Sequence, residues 1–139
     1  MWKHLLAIPE LFGRLRFIDL RSGSTAWVAN IGDEDVISIS PGMDRIGSFD
    51  GSLSLYDLVQ REVVEKRVFP AGVWRAEAWG TRDIAGCMYE GFVIRDAATT
   101  TTETLPHHNS LAYGLAKSEN LLATASFYDS QLCFWRLPS

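Results

Sequence analysis

The chain has 139 residues, of which 47% are hydrophobic and 22% charged, and its formal net charge is −4. This composition suits one globular domain with an ordinary core and argues against intrinsic disorder. The acidic balance and the lack of a Lys/Arg-rich run argue against direct nucleic-acid binding, and no apolar run approaches the roughly 18 residues of a membrane-crossing helix, so neither partner is expected.

The opening stretch, MWKHLLAIPELFGRLR, holds a short apolar patch interrupted by Pro9, Glu10 and Arg14. A signal peptide needs a longer uninterrupted core and a small-residue cleavage site, so the reading is of an intracellular, cytoplasmic protein. Then comes the first of four alternating segments: LRFID (15–19), LSLYD (53–57), FVIRD (92–96) and LCFWR (132–136). Their last residues, Asp19, Asp57, Asp96 and Arg136, are spaced 38, 39 and 40 apart. That is a period near forty with strand chemistry in every unit.

The last three of these segments each follow a turn, SFDGS (48–52), MYEG (88–91) and SFYDS (126–130). Each turn carries an acidic residue (Asp50, Glu90, Asp129) followed by the Gly or Ser that tight hairpins prefer. One strand earlier stand DRIGS, DIAGC and LLATAS. Earlier still come VISIS (36–40), VWRAEAW (73–79) and SLAYGLA (110–116), each with partial period-two alternation. AATTTTET at 97–104 reads as a solvated connection. The period leaves room for a fourth short strand per unit, and no segment shows a convincing helical stripe.

Short strands in forty-residue repeats predict an all-β chain of β-propeller blades, with a two-layer sandwich as the alternative that regular strand spacing also suits. The expected units cover about 24–58, 63–96 and 106–136, with 13–20 as the last strand of a preceding blade. Three blades and one strand make a partial propeller, because about four to eight blades close a ring. The chain is therefore expected to be part of a longer protein; self-association of two copies to complete one ring, or an unusual closure, are the alternatives. Cys87 and Cys133 lie in apolar strand-like runs and are expected to be buried thiols, and no Cys/His spacing suggests a metal.

The forty-residue unit ending in Trp-Asp-like pairs resembles the WD-repeat family. Four ordered segments sharpen that likeness: PAGVWRAEAW, IAGCMYEGFVI, NSLAYG and LLATASFYDSQLCFW. They resemble the C-terminal half of the WD-repeat diphthine methyl ester hydrolases of diphthamide biosynthesis. Gly72, Val73, Trp74, Arg75 and Trp79 match the first family segment; Cys87, Met88, Gly91 and Phe92 the second; Ser110, Leu111, Tyr113 and Gly114 the third. Ser126, Phe127, Tyr128, Asp129, Leu132 and Trp135 match the fourth. Ala71 replaces a family Gly, the connection from 114 to 121 is short, and the family's N-terminal blades have no counterpart. The resemblance implies a hydrolase acting in protein demethylation. It would remove the methyl ester from methylated diphthine, a modified histidine, on translation elongation factor two, and would need no cofactor and no metal.

Ester hydrolysis requires a nucleophile or activated water, a base and donors for the oxyanion. The candidates are His107, His108, Ser110, Ser126, Asp129, Tyr128, Cys87 and Arg75, and no G-x-S-x-G elbow is present. His108, Ser126 and Trp135 fit the structural hydrogen-bond set of WD repeats, Asp50 and Asp129 suit their own turns, and Cys87 suits the core. His107 is the general-base candidate by elimination, and Arg75, after a Trp on an innermost strand, is expected near the central channel. His107, His108 and Arg75 are the catalytic candidates. The competing reading is a non-catalytic WD-repeat interaction module or an inactive fragment of the enzyme.

Overall fold

Residues that alternate in sequence alternate in burial: Leu15 and Phe17 are fully buried while Arg14 between turn and strand is exposed. This period-two division is what a pleated strand imposes when one face meets a neighbour. The computed structural model describes residues 3–138, which form four antiparallel sheets and almost no helix. The all-β propeller fold read from the sequence is the fold observed.

The first sheet comprises β1 (Leu5–Pro9), β2 (Arg14–Asp19) and β3 (Ser24–Asn30). The second comprises β4 (Val36–Ile39), β5 (Arg45–Ser48), β6 (Ser52–Asp57) and β7 (Glu62–Val68). The third holds β8 (Arg75–Trp79), β9 (Arg82–Gly86), β10 (Phe92–Asp96) and β11 (Thr102–Thr104), and the fourth β12 (Ala112–Ser118), β13 (Leu121–Ser126) and β14 (Leu132–Arg136). Every sheet is a meander in which consecutive strands pair.

Two details of the sequence reading change. LRFID is not the last strand of its sheet: it is the central strand, with β1 on one side and β3 on the other. The arc therefore holds four blades, the outer two three-stranded. The first two forty-residue units are also offset by one strand from the sheets. Unit 24–58 takes the last strand of the first blade and the first three of the second, and unit 63–96 repeats the pattern. Hydrophobic periodicity marks a strand but not the sheet it joins, so the offset has no signature in alternation.

Three separate apolar cores lie between neighbouring blades. Leu15, Phe17 and Ala29 of the first blade meet Val36, Ile46 and Tyr56 of the second. Leu53 and Phe69 meet Val73, Ala85, Cys87 and Val93 across the next junction, and Ile84, Phe92 and Ile94 meet Ala112, Leu115 and Leu122 across the last. Gly47 lets β5 approach the third blade closely, since a Cβ there would collide with the Val73 carbonyl and the Ser38 hydroxyl. Ser38 Oγ itself donates to that carbonyl at 2.8 Å.

Candidate functional site

The fourth blade is wired to its hairpin by a chain of polar side chains. Trp135 Nε1 of β14 donates to Thr124 Oγ1 of β13 at 2.8 Å. Thr124 Oγ1 and Ser126 Oγ flank the His108 ring at 2.7 Å from Nε2 and 2.7 Å from Nδ1. Ser126 Oγ in turn donates to Asp129 Oδ1 in the turn that follows. An indole N–H can only donate and a carboxylate only accept, so the ends fix the direction of the chain. Thr124 donates to Nε2, and Nδ1–H of a neutral His108 donates to Ser126.

Both ring nitrogens of His108 are therefore occupied. Burial lowers its pKa, opposed by the charge of Asp129. The Asp129 carboxylate is held below its ordinary pKa by the Ser126 hydroxyl and by the backbone N–H of Asn109. The order Asp–Ser–His reverses a hydrolytic triad, in which the acid orients the base and the base activates the hydroxyl. Here the acid accepts a hydrogen bond from the hydroxyl, which keeps its proton. Of the predicted set, His108, Ser126 and Trp135 do come together. Thr124, which carries the link between Trp135 and His108, was missed; its signal is its place two residues before Ser126 on the same strand face.

A second assembly lies along the innermost strands. β4, β8 and β12 run side by side and enclose a groove of about 380 Å³, lined by Ser38, Ile39, Trp74, Arg75, Tyr113 and Leu115 among others. Arg75 is exposed and has no ion pair among the described residues. The Trp74 indole N–H beside it is shielded from solvent and lacks a hydrogen-bond partner. Trp74 leans on Tyr113 with ring centroids 5.7 Å apart, Tyr113 meets Phe127 at 6.1 Å, and Phe127 meets Tyr128 at 4.9 Å with nearly perpendicular planes. Ser110 Oγ and the Leu111 carbonyl anchor this turn through the backbone N–H groups of Tyr128 and Phe127. Met88 bridges to Ala112 from the third blade.

The remaining candidates separate. Exposed His107 adopts a positive φ of 77° and stacks on Trp135 at 6.0 Å, with no hydrogen bond to Arg75. Cys87 is buried, and burial pushes its thiol up to about 12, which removes it as a nucleophile at neutral pH. Asp50 accepts from the Ser52 N–H and holds its turn, as its position implied.

No protein-family model matches this sequence, and no curated protein does. Among solved structures, the chain superposes on the computationally designed Ika4 protein with a TM-score of 0.79 at 12% identity, over 98% of this chain and 87% of that one. It matches the designed Ika8 protein with a TM-score of 0.78 at 12% identity, over 97% of this chain and 43% of that chain. A chain of the mitotic checkpoint complex matches with a TM-score of 0.79 at 19% identity, covering 96% of this chain and 45% of the other. The present chain thus spans less than half the length of the latter two. At these identities the likeness establishes the β-propeller fold.

Proposed function

We propose that this arc carries part of the site of a diphthine methyl ester hydrolase, which demethylates methylated diphthine on translation elongation factor two and leaves a carboxylate for later amidation. The observation that supports this reading is spatial. The segments with family-like sequence lie on different strands and turns, yet Trp74, Arg75 and Tyr113 line one groove, and Tyr113 extends it through Phe127 to Tyr128. Tyr113, Phe127 and Tyr128 are 51%, 60% and 70% exposed, so packing does not account for their size. Exposed aromatics with an apolar ring and a polar tip suit recognition of a partner surface.

In this reading Arg75 supplies the charge. Its guanidinium binds the substrate's acyl oxygens and stabilises the oxyanion that develops as water attacks the ester carbonyl, before the acyl C–O bond to the methoxy group breaks and methanol leaves. His108 and Ser126 hold the fourth blade in shape and take no part in proton transfer. His107 stacks on Trp135 and does not line the groove, so the base that activates the water is not among the groove's own residues.

A second reading, a non-catalytic recognition module, is favoured by the distribution of those groups: the hydroxyl, carboxylate and imidazole nearest one another are all bonded into the structural chain. One experiment separates the two. The 139-residue chain is incubated with elongation factor two bearing methylated diphthine, and the mass of the factor and its retention by the chain are followed. Loss of the ester methyl, abolished by Arg75→Ala, supports the hydrolase. Retention without turnover, abolished by Tyr113→Ala, supports the module. Neither retention nor turnover overturns both.

A further inference from the structure

Equivalent positions on the repeated strands β2, β6, β10 and β14 have a constant address. The first and third apolar positions point toward the following blade: Leu15 and Phe17 into the first junction, Leu53 and Leu55 into the second, Phe92 and Ile94 into the third. In the fourth blade the same two positions are Leu132 and Phe134. They are 62% and 65% exposed, whereas Leu15, Phe17, Leu53 and Phe92 are fully buried. The strand register sets Phe134 beside Ala123 and Ala116, and Leu132 beside Ala125 and Gly114. This is a continuous apolar face of small residues with two large ones standing out from it.

The opposite end of the arc has the converse surface. On the face of the first blade turned away from the second, Leu6 pairs with Ile18, and Ile8 lies beside Arg16 and Val28. Leu6, Ile8 and Val28 are 45%, 37% and 41% exposed. Arg16 sits there already neutralised: its guanidinium contacts both carboxylate oxygens of Glu10 at 3.1 Å. A paired charge can be covered at far lower cost than a bare one. Among the described residues no apolar core joins the fourth blade to the first, so the four blades form an open arc.

We propose that these two ends are partners, and that two copies of the chain join head to tail through them into one closed ring of eight blades. Three arguments select a second copy. The surface that a fourth blade addresses is the preceding-side face of another blade, and this chain carries such a face at its own beginning. Four blades from each copy give eight, inside the range in which propellers close. The arc covers less than half of the Ika8 chain, so two arcs account for most of one chain of that length. Each end presents three strands of about five residues, roughly 220 Å² in footprint; the four faces of the two junctions come to about 900 Å² before side-chain relief, below the roughly 1,200 Å² of ordinary specific interfaces. The ring is therefore expected to be reversible and concentration-dependent.

The proposal is independent of the hydrolase reading, and its test needs no substrate. Light scattering behind gel filtration, over a concentration series, should show the 15.5 kDa chain passing to a species of twice that mass and nothing larger. Two variants refine the result: one with Leu6→Glu and Ile8→Glu, the other with Leu132→Glu and Phe134→Glu. All four positions are exposed, and circular dichroism checks that the strands persist. Each variant alone should be monomeric. An equimolar mixture should associate more weakly than the wild type and more strongly than either variant alone, because unlike partners keep one undamaged pair of ends while the other pair carries all four glutamates. A wild-type chain that stays monomeric, one that grows into open polymers, or a dimer that survives in either variant alone would each overturn the proposal.

Discussion

Asp83 on β9 is fully buried, and its Oδ1 accepts a hydrogen bond from Arg45 Nε of β5 at 2.8 Å. Its other oxygen is held by Arg67 of β7. Both arginines belong to the second blade and the carboxylate to the third, so this group clamps the middle junction beside its apolar core. Each arginine also keeps a second, more exposed carboxylate, Asp44 at 2.9 Å and Glu65 at 3.0 Å. The central carboxylate is thus sealed in, while the rim of the network stays wet.

Removing the sealed charge should be costly. Asp83→Asn leaves two guanidiniums without their shared partner, and a loss of about 3 kcal/mol is expected from urea unfolding monitored by tryptophan fluorescence. Asp44→Asn, on the rim, should change stability by less than about 0.5 kcal/mol.

Stability should fall on mild acidification. The folded pKa of His108 is lowered by burial, so the unfolded chain takes up a proton at higher pH than the folded one. The contribution is complete above the ordinary value of 6.5 and is lost as pH drops through and below it. Asp129, also lowered, adds a further loss only as pH falls below its ordinary 3.8 toward its folded value. The urea midpoint should therefore decline from about pH 7.5 to about pH 5.5, and His108→Gln should flatten that decline.

The same chain of hydrogen bonds should fail as a unit. Ser126→Ala strips His108 Nδ1 and Asp129 of a partner and should cost about 2 kcal/mol; Thr124→Val strips Trp135 and Nε2 at similar cost. The double variant should cost less than the sum of the two, which a double-mutant cycle measures.

How far these features were legible depends on what kind of signal carried them. β4 to β6, β8 to β10 and β12 to β14 were readable because alternation and acidic turns recur together. β1 was hidden: Pro9 ends it and Glu10 follows at once, so LLAIP resembled an interrupted apolar patch. β11 has no apolar residue to alternate, since Thr102, Glu103 and Thr104 are all exposed. At the site, the His108–Ser126–Trp135 grouping was legible through the resemblance to WD repeats, whose template sets a His, a Ser and a Trp on neighbouring strands. The convergence of Trp74, Tyr113 and Phe127 was not, because it is made by blade-to-blade packing. The Arg45–Asp83 clamp links residues 38 apart, and nothing local marks either as paired.

The two cysteines should report the burial pattern directly. Cys87 is buried and Cys133 is partly accessible at the free edge of β14. Titration of the native chain with a thiol reagent should label Cys133 quickly and Cys87 only on unfolding, with the two sites resolved by peptide mass.

Gly47→Ala tests the closeness of the second and third blades. The added methyl would displace the Val73 carbonyl and break its bond from Ser38, so a loss of about 2 kcal/mol is expected, read as a lowered melting temperature. Gly80→Ala has open space around it but a φ of 59°, so its smaller cost, about 1 kcal/mol, should come from backbone conformation alone.

The one-strand offset between repeat and sheet makes the units 24–58 and 63–96 dovetails, each carrying the outer strand of the sheet before it. Duplication or loss of such a unit changes the number of blades, and the sheet before the joint takes its outer strand from whichever of these units follows. Gene-level growth of such an arc would therefore insert a new joint already glued on both sides, whereas a break made between sheets would release a tile whose outermost board came from its neighbour.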